Sequence, residues 1–281
     1  MKLSIINDEL DQNLDKAINV VRQELFQGIE IRSVWNTPPD KLNKEDLRKI
    51  KYKIEEAGLF ITGFDSPCLK IAFPRKYKDV ELARKSLVYA ISQARILNAG
   101  FVRIFTFFRE GEANPKQAGK IIKELFEGLI LDNLEIFVET GMRTNTPSMY
   151  HMLKFLDVVG DNCLGVVWDP GNTMFSGVNA ASYSDEYMIG RDVIKHIHIK
   201  DPKGQVEYVR LGEGDVPWLD ILKMLKNEKF AGWLSLETHW RKDRILDQIQ
   251  RDNPWGDSFS KGGLEASIEC MRQLQTYMRC I

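Results

Sequence analysis

The sequence predicts an α/β fold, a (β/α)₈ TIM barrel, from three observations. Eight short apolar runs rich in Ile, Val, Phe and Leu recur along the 281 residues. Each run is followed by a longer stretch of helical period, which favours parallel strands joined by crossover helices. A count of eight strands, with no GxGxxG after a strand, favours a closed barrel over an open doubly wound sheet.

The eight strands and the helices between them follow from local pattern. In chain order, the strands are predicted at Lys2–Asn7, Gly28–Trp35, Leu59–Asp65, Phe101–Thr106, Leu134–Thr140, Leu164–Asp169, Lys195–Lys200 and Trp233–Thr238. A helix is predicted over Asp79–Asn98, where apolar residues recur on one stripe. Gly28, Gly58 and Gly100 each stand just before a strand, where a helix C-cap glycine belongs.

Nothing in the composition divides the chain, so residues 1–281 are predicted to form one barrel domain with extended loops at 201–215 and 239–263. Long loops after barrel strands usually cover the active site or an oligomer contact. Gly212-Glu213-Gly214 lacks the third glycine of a dinucleotide-binding loop and is predicted as a turn before a helix at Val216–Lys226.

Charge and cysteine content exclude several classes of protein. The formal net charge is −1, so the chain carries no electrostatic footprint for nucleic acid or an anionic membrane. Cys68, Cys163, Cys270 and Cys280 have neither metal-site spacing nor a disulfide framework, which is typical of a reducing cytosol. No apolar run approaches the ~20 residues of a membrane span, and the first residues do not resemble a signal peptide. We therefore expect a cytoplasmic protein.

Strand alternation predicts which side chains share the barrel interior. In the seventh strand, Ile197 and Ile199 alternate with His196, His198 and Lys200. Helices cover the outside of such a barrel, so the isoleucines should face outward and the polar residues inward.

The same alternation sends Glu139, Asp169 and Glu237 inward beside His198. Each is at or near the last inward position of its strand, at the mouth where barrel active sites lie. Buried ionisable groups are costly unless they are paired or bound to metal. Three carboxylates and one imidazole suit one divalent ion, Mn²⁺ or Mg²⁺ first, with Co²⁺ or Zn²⁺ as alternatives. The other interpretation is a set of ion pairs at the barrel mouth.

Motifs spread over essentially the whole chain carry a family resemblance. In chain order, they are GIEIR, AGFVRIF, LEIFVET, GVVWDPGN, IKHIHIKD, LGEGDVPW, LSLE and GGLEASIECMRQL. Together they resemble the sugar isomerase/epimerase superfamily of xylose-isomerase-like TIM barrels, also described as sugar phosphate isomerases/epimerases. The resemblance implies that Glu139, Asp169, His198 and Glu237 are metal ligands and that Glu139 and Glu237 are also the acid/base carboxylates.

Three positions depart from that pattern. Gly141 stands where many members have a histidine, and Asn172 stands where several epimerases have one, although asparagine also occurs there in the superfamily. Asn145 replaces a second glutamate of the ketose 3-epimerases. A standard ketose 3-epimerase is therefore disfavoured.

Four residues are candidates for binding the substrate: Lys200, Asn172, Trp35 and His239. Lys200 faces inward at the mouth, and its alternative role is an ion pair with Asp201 or Glu213. Trp35 ends the second strand and would stack on a sugar face, unless it only packs there. His239 comes two residues after Glu237 and is predicted to line the pocket.

Other inward residues have structural interpretations. His196 lies one layer deeper than His198 and is predicted to be a hydrogen-bonded core histidine. Arg103 and Glu30 are predicted to form a buried pair low in the barrel. Cys68 has no evident partner base, so its thiol should be inert.

The resemblance implies a metal-dependent isomerase or epimerase of a sugar or sugar derivative, acting by proton abstraction next to a carbonyl and through an enediolate. The alternative is a dehydratase, a carbon–oxygen lyase of a keto-inositol or related polyol, on the same metal site. An abasic-site endonuclease is disfavoured by the content of four histidines and the absence of basic excess. A non-catalytic sugar-binding protein would be expected to lack one of the four metal-ligating residues, and this chain has all four. We expect a small-molecule carbohydrate substrate, no nucleic-acid or membrane partner, and a homo-oligomer as an open alternative to a monomer.

Overall fold

The computed structural model describes residues 1–160 and 164–281. Its strands are β1 Lys2–Ile5, β2 Gly28–Ile31, β3 Phe60–Phe64, β4 Phe101–Ile104, β5 Glu135–Glu139, β6 Leu164–Trp168, β7 Ile194–Ile199, β8 Asp201–Lys203, β9 Glu207–Val209 and β10 Trp233–Leu236. Eight of them form one parallel sheet in the order β1-β10-β7-β6-β5-β4-β3-β2. A parallel bridge between Ile6 and Glu30 joins β1 to β2, which closes the barrel. The predicted TIM barrel is confirmed.

Each predicted strand is present but ends before its predicted end, because the chain leaves the ladder where the mouth loops begin. As a result Asp169 and Glu237 lie one residue beyond β6 and β10, whereas Glu139 and His198 lie within β5 and β7. All four still face the mouth of the barrel.

The helices are α1 Leu14–Gln23, α2 Lys44–Glu56, α3 Tyr77–Leu97, α4 Pro115–Phe126, α5 Met149–Val159, α6 Pro170–Phe175, α7 Tyr183–Gly190, α8 Trp218–Asn227, α9 Gln248–Asp252, α10 Asp257–Ser260 and α11 Gly263–Cys280. The predicted helix at Asp79–Asn98 is confirmed as α3, which ends at Asn98 in the left-handed conformation (φ 55°). The helix predicted at Val216–Lys226 begins later, at Trp218, because Pro217 has non-helical backbone (φ −76°, ψ 64°).

The two extended loops contain regular structure of their own. Residues 201–215 include an antiparallel hairpin of β8 and β9, which the sequence analysis did not predict. The Asp201 carboxylate accepts the backbone N–H groups of Gly212 at 2.7 Å and Gly214 at 3.2 Å, and so holds the turn after the hairpin. Residues 239–263 contain the short helices α9 and α10.

Aromatic side chains fill the barrel below its mouth. Phe101 and Phe137 stack with ring centroids 4.4 Å apart, and Val167 packs with them in a cluster separate from the outer core. A Cβ atom at Gly165 would lie 2.3 Å from Phe137, so only glycine leaves room for this ring. On the outer face Ile197 is fully buried under the helices, as alternation predicts. The interior is therefore apolar at depth and polar at the mouth.

The cysteines are dispersed, as the sequence predicts. Cys68 and Cys270 are buried free thiols and Cys280 is exposed, whereas Cys163 lies outside the described residues. Burial raises the pKa of Cys68 to about 12, consistent with an inert thiol. Among the helices described, none combines the length and the apolarity needed to cross a membrane.

Candidate metal centre

The four predicted residues form one cluster at the barrel mouth. Glu139, Asp169, His198 and Glu237 are all buried, and one donor atom from each lies within 4.8 Å of the others. They come from β5, β6, β7 and β10, which are consecutive neighbours in the sheet. Inward-facing positions on neighbouring strands of a barrel converge at the same level, which brings these side chains together.

His198 presents one ring nitrogen to the three carboxylates. Its Nε2 lies 3.0 Å from Glu30 Oε2, and this contact requires the proton on Nε2. Its Nδ1 then faces Glu139 Oε1 at 3.5 Å, Asp169 Oδ2 at 3.9 Å and Glu237 Oε2 at 3.5 Å. Within the described residues this buried Nδ1 has no hydrogen-bond partner. A ring nitrogen that faces three carboxylates at once fits a site for a shared cation.

The charges around this point favour a cation. Burial lowers the pKa of His198, but the charge of Glu30 and the contacts with Glu139 raise it well above its usual value. Burial raises the pKa of Asp169 to about 7; Lys200 opposes this, whereas the charges of Glu139 and Glu237 add to it. The donor set of carboxylate oxygens and one imidazole, without a thiolate, fits a divalent ion such as Mn²⁺, Mg²⁺, Co²⁺ or Zn²⁺.

Three basic side chains hold the carboxylates of the cluster. Arg32 Nη1 lies 2.6 Å from Glu237 Oε1, and Arg103 Nη1 lies 2.9 Å from Glu139 Oε2. Lys200 Nζ lies 2.7 Å from Asp169 Oδ2 and also contacts Glu237 Oε2. These contacts fix the orientation of each carboxylate.

The basic partners also keep the acid/base candidates ionised. Burial raises the pKa of Glu139, but the charge of Arg103 and the contact with His198 outweigh it and hold the pKa at about 2. Burial likewise raises the pKa of Glu237, and Lys200, His239 and His198 together hold it well below its usual value. Both groups are therefore carboxylates at neutral pH.

A second charged network supports Glu237 from the β1 and β2 side. Arg32 is 1% exposed and binds Asp8 and Glu9, each at 2.8 Å, in addition to Glu237. Glu9 also accepts from His239 Nδ1 at 2.8 Å and from Arg241 at 3.1 Å. Sequence analysis missed this network. The available signals were the acidic pair Asp8-Glu9 shortly after β1 and the inward parity of Arg32, two residues after Glu30.

Several predicted ion pairs have different partners. Lys200 does form an ion pair, but with Asp169 and Glu237, so its assignment to Asp201 or Glu213 was wrong. Arg103 does not pair with Glu30 and binds Asp65 at 3.4 Å together with Glu139. The partners lie on neighbouring strands of the sheet, and strand parity gives the face of a side chain but not which neighbour it contacts.

Glu30 instead supports the two histidines of β7. It lies 2.5 Å from His196 Nε2 as well as 3.0 Å from His198 Nε2. His196 is therefore the buried, hydrogen-bonded histidine that the sequence predicts. Its role is to help hold the carboxylate that orients His198.

Three of the four candidate substrate residues line a pocket above the cluster. Asn172 Nδ2 donates to Glu139 Oε1 at 2.7 Å, and Lys200 and His239 lie beside it. Trp35 is not among the described residues that line this pocket. Its backbone turns at φ 54° after β2, and its ring packs under Lys49 Nζ at 4.9 Å, away from the pocket.

The departures from the family pattern have local explanations. A Cβ atom at Gly141 would lie 2.8 Å from the Thr144 side chain, so a histidine has no room there. Asn145 Nδ2 donates to the backbone carbonyls of Thr106 at 2.9 Å and Phe107 at 3.2 Å. In this chain that position supports the loop after β4.

The pocket is narrow and strongly basic. Its free volume is about 30 Å³, room for about one or two water molecules. Four of the residues that line it, His239, Arg251, Pro254 and Trp255, belong to residues 239–263, which we call the covering segment. The lining residues are Arg32, Pro67, Lys70, Arg103, Phe105, Glu139, Gly141, Met142, Arg143, Thr144, Asn172, Lys200, Glu237, His239, Arg251, Pro254 and Trp255.

Known proteins with similar sequence or fold are enzymes of related chemistry. An inosose dehydratase of Clostridium botulinum strain Alaska E43 is 22% identical over 251 residues, covering 81% of this chain and 82% of that protein. The D-psicose 3-epimerase of Clostridium cellulolyticum H10, solved with D-tagatose, is 14% identical and superposes with a TM-score of 0.74 over 99% of both chains.

A further solved structure contains a metal. The IolI protein with a bound zinc atom is 15% identical and superposes with a TM-score of 0.74, covering 99% of this chain and 98% of that one. At these identities the solved structures establish the shared fold. The family model described as the xylose isomerase-like TIM barrel matches residues 21–274. The chain therefore belongs to the xylose isomerase-like TIM barrel family.

Proposed function

We propose that this protein is a divalent-metal-dependent isomerase or epimerase of a sugar or sugar derivative. Its metal ligands are Glu139, Asp169, His198 and Glu237, and its acid/base groups are Glu139 and Glu237. The observation that carries the proposal is the position of His198 Nδ1, which faces three buried carboxylates at 3.5–3.9 Å. The zinc atom of the related IolI structure and the epimerase of the same fold support it.

The proposed chemistry divides between the cation and the chain. A bound divalent ion polarises a carbonyl and a neighbouring hydroxyl, which acidifies the carbon-bound proton between them. Glu139 and Glu237 contact His198 Nδ1 from strands separated in the sheet by β6 and β7, each at 3.5 Å. One carboxylate accepts the carbon-bound proton and later loses it to solvent. The other, which is also ionised at rest, first takes up a proton from solvent and then delivers it to the opposite side.

Neighbouring residues tune this exchange. Asn172 donates to Glu139 Oε1, and Arg103 binds its Oε2, so this carboxylate is held in one orientation. Arg32 and Lys200 hold the two oxygens of Glu237 in the same way. Fixed orientation places the carboxylates before the reaction begins, so little reorganisation is needed during proton transfer.

A dehydratase is the second candidate, supported by one residue of the site and by the relatives. Lys200 is buried against Asp169 and Glu237; burial lowers its pKa, but the two carboxylates raise it well above its usual value. It is therefore a charged ammonium, able to donate a proton to a departing hydroxyl. The inosose dehydratase of Clostridium botulinum, similar over 81% of the chain, favours the same outcome.

Substrate screening in D₂O with added Mn²⁺ tests both candidates. Ketoses, aldoses, uronates and keto-inositols are followed by NMR for deuterium incorporation next to the carbonyl and for loss of water. An epimer or isomer supports the first function, and an unsaturated ketone supports the second. Glu237→Gln should abolish the reaction. Glu213→Gln, at an exposed glutamate outside the described pocket lining, should retain it. Both functions are refuted if no substrate exchanges deuterium or loses water with any divalent ion.

A further inference from the structure

Three basic side chains from separate segments meet at the outer end of the pocket. Lys70 comes from the loop between β3 and α3, Arg143 from the loop between β5 and α5, and Arg251 from α9. We call these three residues the rim cations. Within the described chain, the sole carboxylate within ion-pair distance of any of them is Asp252, which contacts Arg143. The rim therefore carries excess positive charge.

Lys70 lies in a position that disfavours its charge. Its Nζ donates to the Asp252 backbone carbonyl at 2.8 Å and lies 5.3 Å from the centroid of the Phe105 ring. The Arg103 guanidinium lies 4.9 Å from the same ring. Burial, together with the charge of Arg103, lowers the pKa of Lys70 to about 8. Two cations thus face one aromatic ring, and no carboxylate of the described residues neutralises Lys70.

Arg251 repeats this arrangement on the covering segment. It donates to the Leu246 backbone carbonyl and lies 5.3 Å from the Phe175 ring, again with no carboxylate within ion-pair distance among the described residues. Arginine and lysine side chains that line a cavity without acidic partners focus positive potential there and attract anions.

The inner end of the pocket has the opposite character. Arg32, Arg103 and Lys200 are each matched by carboxylates there, so their charges are compensated. The pocket is therefore polarised, with carboxylates for a cation at its base and unmatched basic groups at its rim. A ligand that complements both ends carries its carbonyl and hydroxyl oxygens at one end and a negative group at the other.

We propose that the rim cations bind an oxyanionic group, phosphate or carboxylate, at the end of the substrate remote from its carbonyl. This assignment of a substrate class rests on the proposed function of the metal centre. Asp252 contacts Arg143 through its carboxylate and Lys70 through its backbone, so it holds the covering segment against the rim. The arriving anion replaces the Asp252 carboxylate at Arg143.

Direct binding measurements test this without requiring turnover. Calorimetry with inorganic phosphate, a hexose phosphate, a hexuronate and the matching neutral hexose is done on the parent in Mn²⁺. We expect at least tenfold tighter binding of an anionic ligand than of the neutral hexose. The tighter of the phosphate and the carboxylate ligand identifies the anion.

Variants assign that affinity to the rim. Lys70→Met combined with Arg251→Met should weaken the anionic ligands at least tenfold and leave the neutral hexose unchanged. Asp252→Asn should strengthen anion binding. Lys70→Arg keeps the charge, and Lys203→Met removes an exposed lysine of β8, so both should bind like the parent.

The proposal is overturned if a double variant that melts cooperatively binds the anions as the parent does, or if the neutral hexose binds as tightly as the charged ligands. Failure of the proposed function gives a different result: anion binding still depends on the rim cations, but no substrate exchanges deuterium or loses water.

Discussion

Replacing Lys200 by methionine separates the charge balance of the cluster from its packing. The Lys200 ammonium lies 2.7 Å from Asp169 Oδ2 and contacts Glu237 Oε2, the same two oxygens that face His198 Nδ1. Methionine fills a similar volume without a charge. Two buried carboxylates then lose a shared counter-charge.

The expected cost follows from the depth of the site. At 2.7 Å the attraction between unit charges is about 6 kcal/mol at an effective dielectric constant near 20. Desolvation of the ammonium offsets part of that attraction, and breaking one side of a buried pair costs about 3–5 kcal/mol in net stability. For a chain of 281 residues the melting temperature should fall by about 5–9 °C.

Divalent metal should reverse this loss. An ion bound at 100 times its Kd adds about 2.7 kcal/mol to the stability of the parent. The Lys200→Met variant should gain more than the parent, since a cation at the cluster no longer repels a neighbouring ammonium. The loss of stability in the variant and the gain from metal are both measured from melting curves by circular dichroism, recorded with a chelator and then with increasing Mn²⁺.

Two controls make the result specific. Lys200→Arg keeps the charge and should retain most of the stability that the parent has in chelator. Lys203→Met, at an exposed position of β8, should change the free energy of unfolding by less than ~0.5 kcal/mol. The reasoning is refuted if Lys200→Met melts like the parent in chelator, or if Mn²⁺ stabilises the variant no more than it stabilises the parent.

Three further predictions concern other groups. His198→Ala should remove the increase in melting temperature that Mn²⁺ gives the parent; an undiminished increase would contradict its role as a ligand. Glu9→Gln should cost about 3–5 kcal/mol at pH 7 because Arg32, His239 and Arg241 lose a buried partner. Burial raises the pKa of Glu9, but His239 and Arg241 outweigh it, so this stabilisation is present above the usual pKa of 4.5 and declines as the pH falls below it. Urea titrations from pH 3 to 7 measure that difference, and a constant cost across the range would contradict the assignment. Lys70→Met should stabilise the protein below pH 8 by on the order of 2 kcal/mol, because the folded parent has to bury a charged ammonium there. The pKa of Lys70 is lowered from 10.5 to about 8, so between these values only the unfolded chain keeps the proton. The gain should disappear by about pH 10.5, and a loss of stability at pH 7 would contradict it.

Alternation within single strands was enough to predict which four side chains form the cluster at the barrel mouth. Glu139, Asp169, His198 and Glu237 could be identified because side chains two residues apart share a face, and because barrel strands end at a common mouth. Both relations are local or follow from the strand count alone. For the same reason all eight barrel strands were predictable, although not their ends.

Only the tertiary structure decided which charges meet. Arg103 binds Glu139 rather than Glu30, Lys200 binds Asp169 and Glu237, and Trp35 turns away from the pocket. These outcomes depend on which neighbouring strand supplies the partner and on the path of each loop after its strand, which no local periodicity records. The rim cations likewise lie far apart in the chain and converge only through folding. The sequence thus specifies the four proposed metal ligands, whereas the tertiary structure determines the counter-charges around them, on which the proposed substrate class rests.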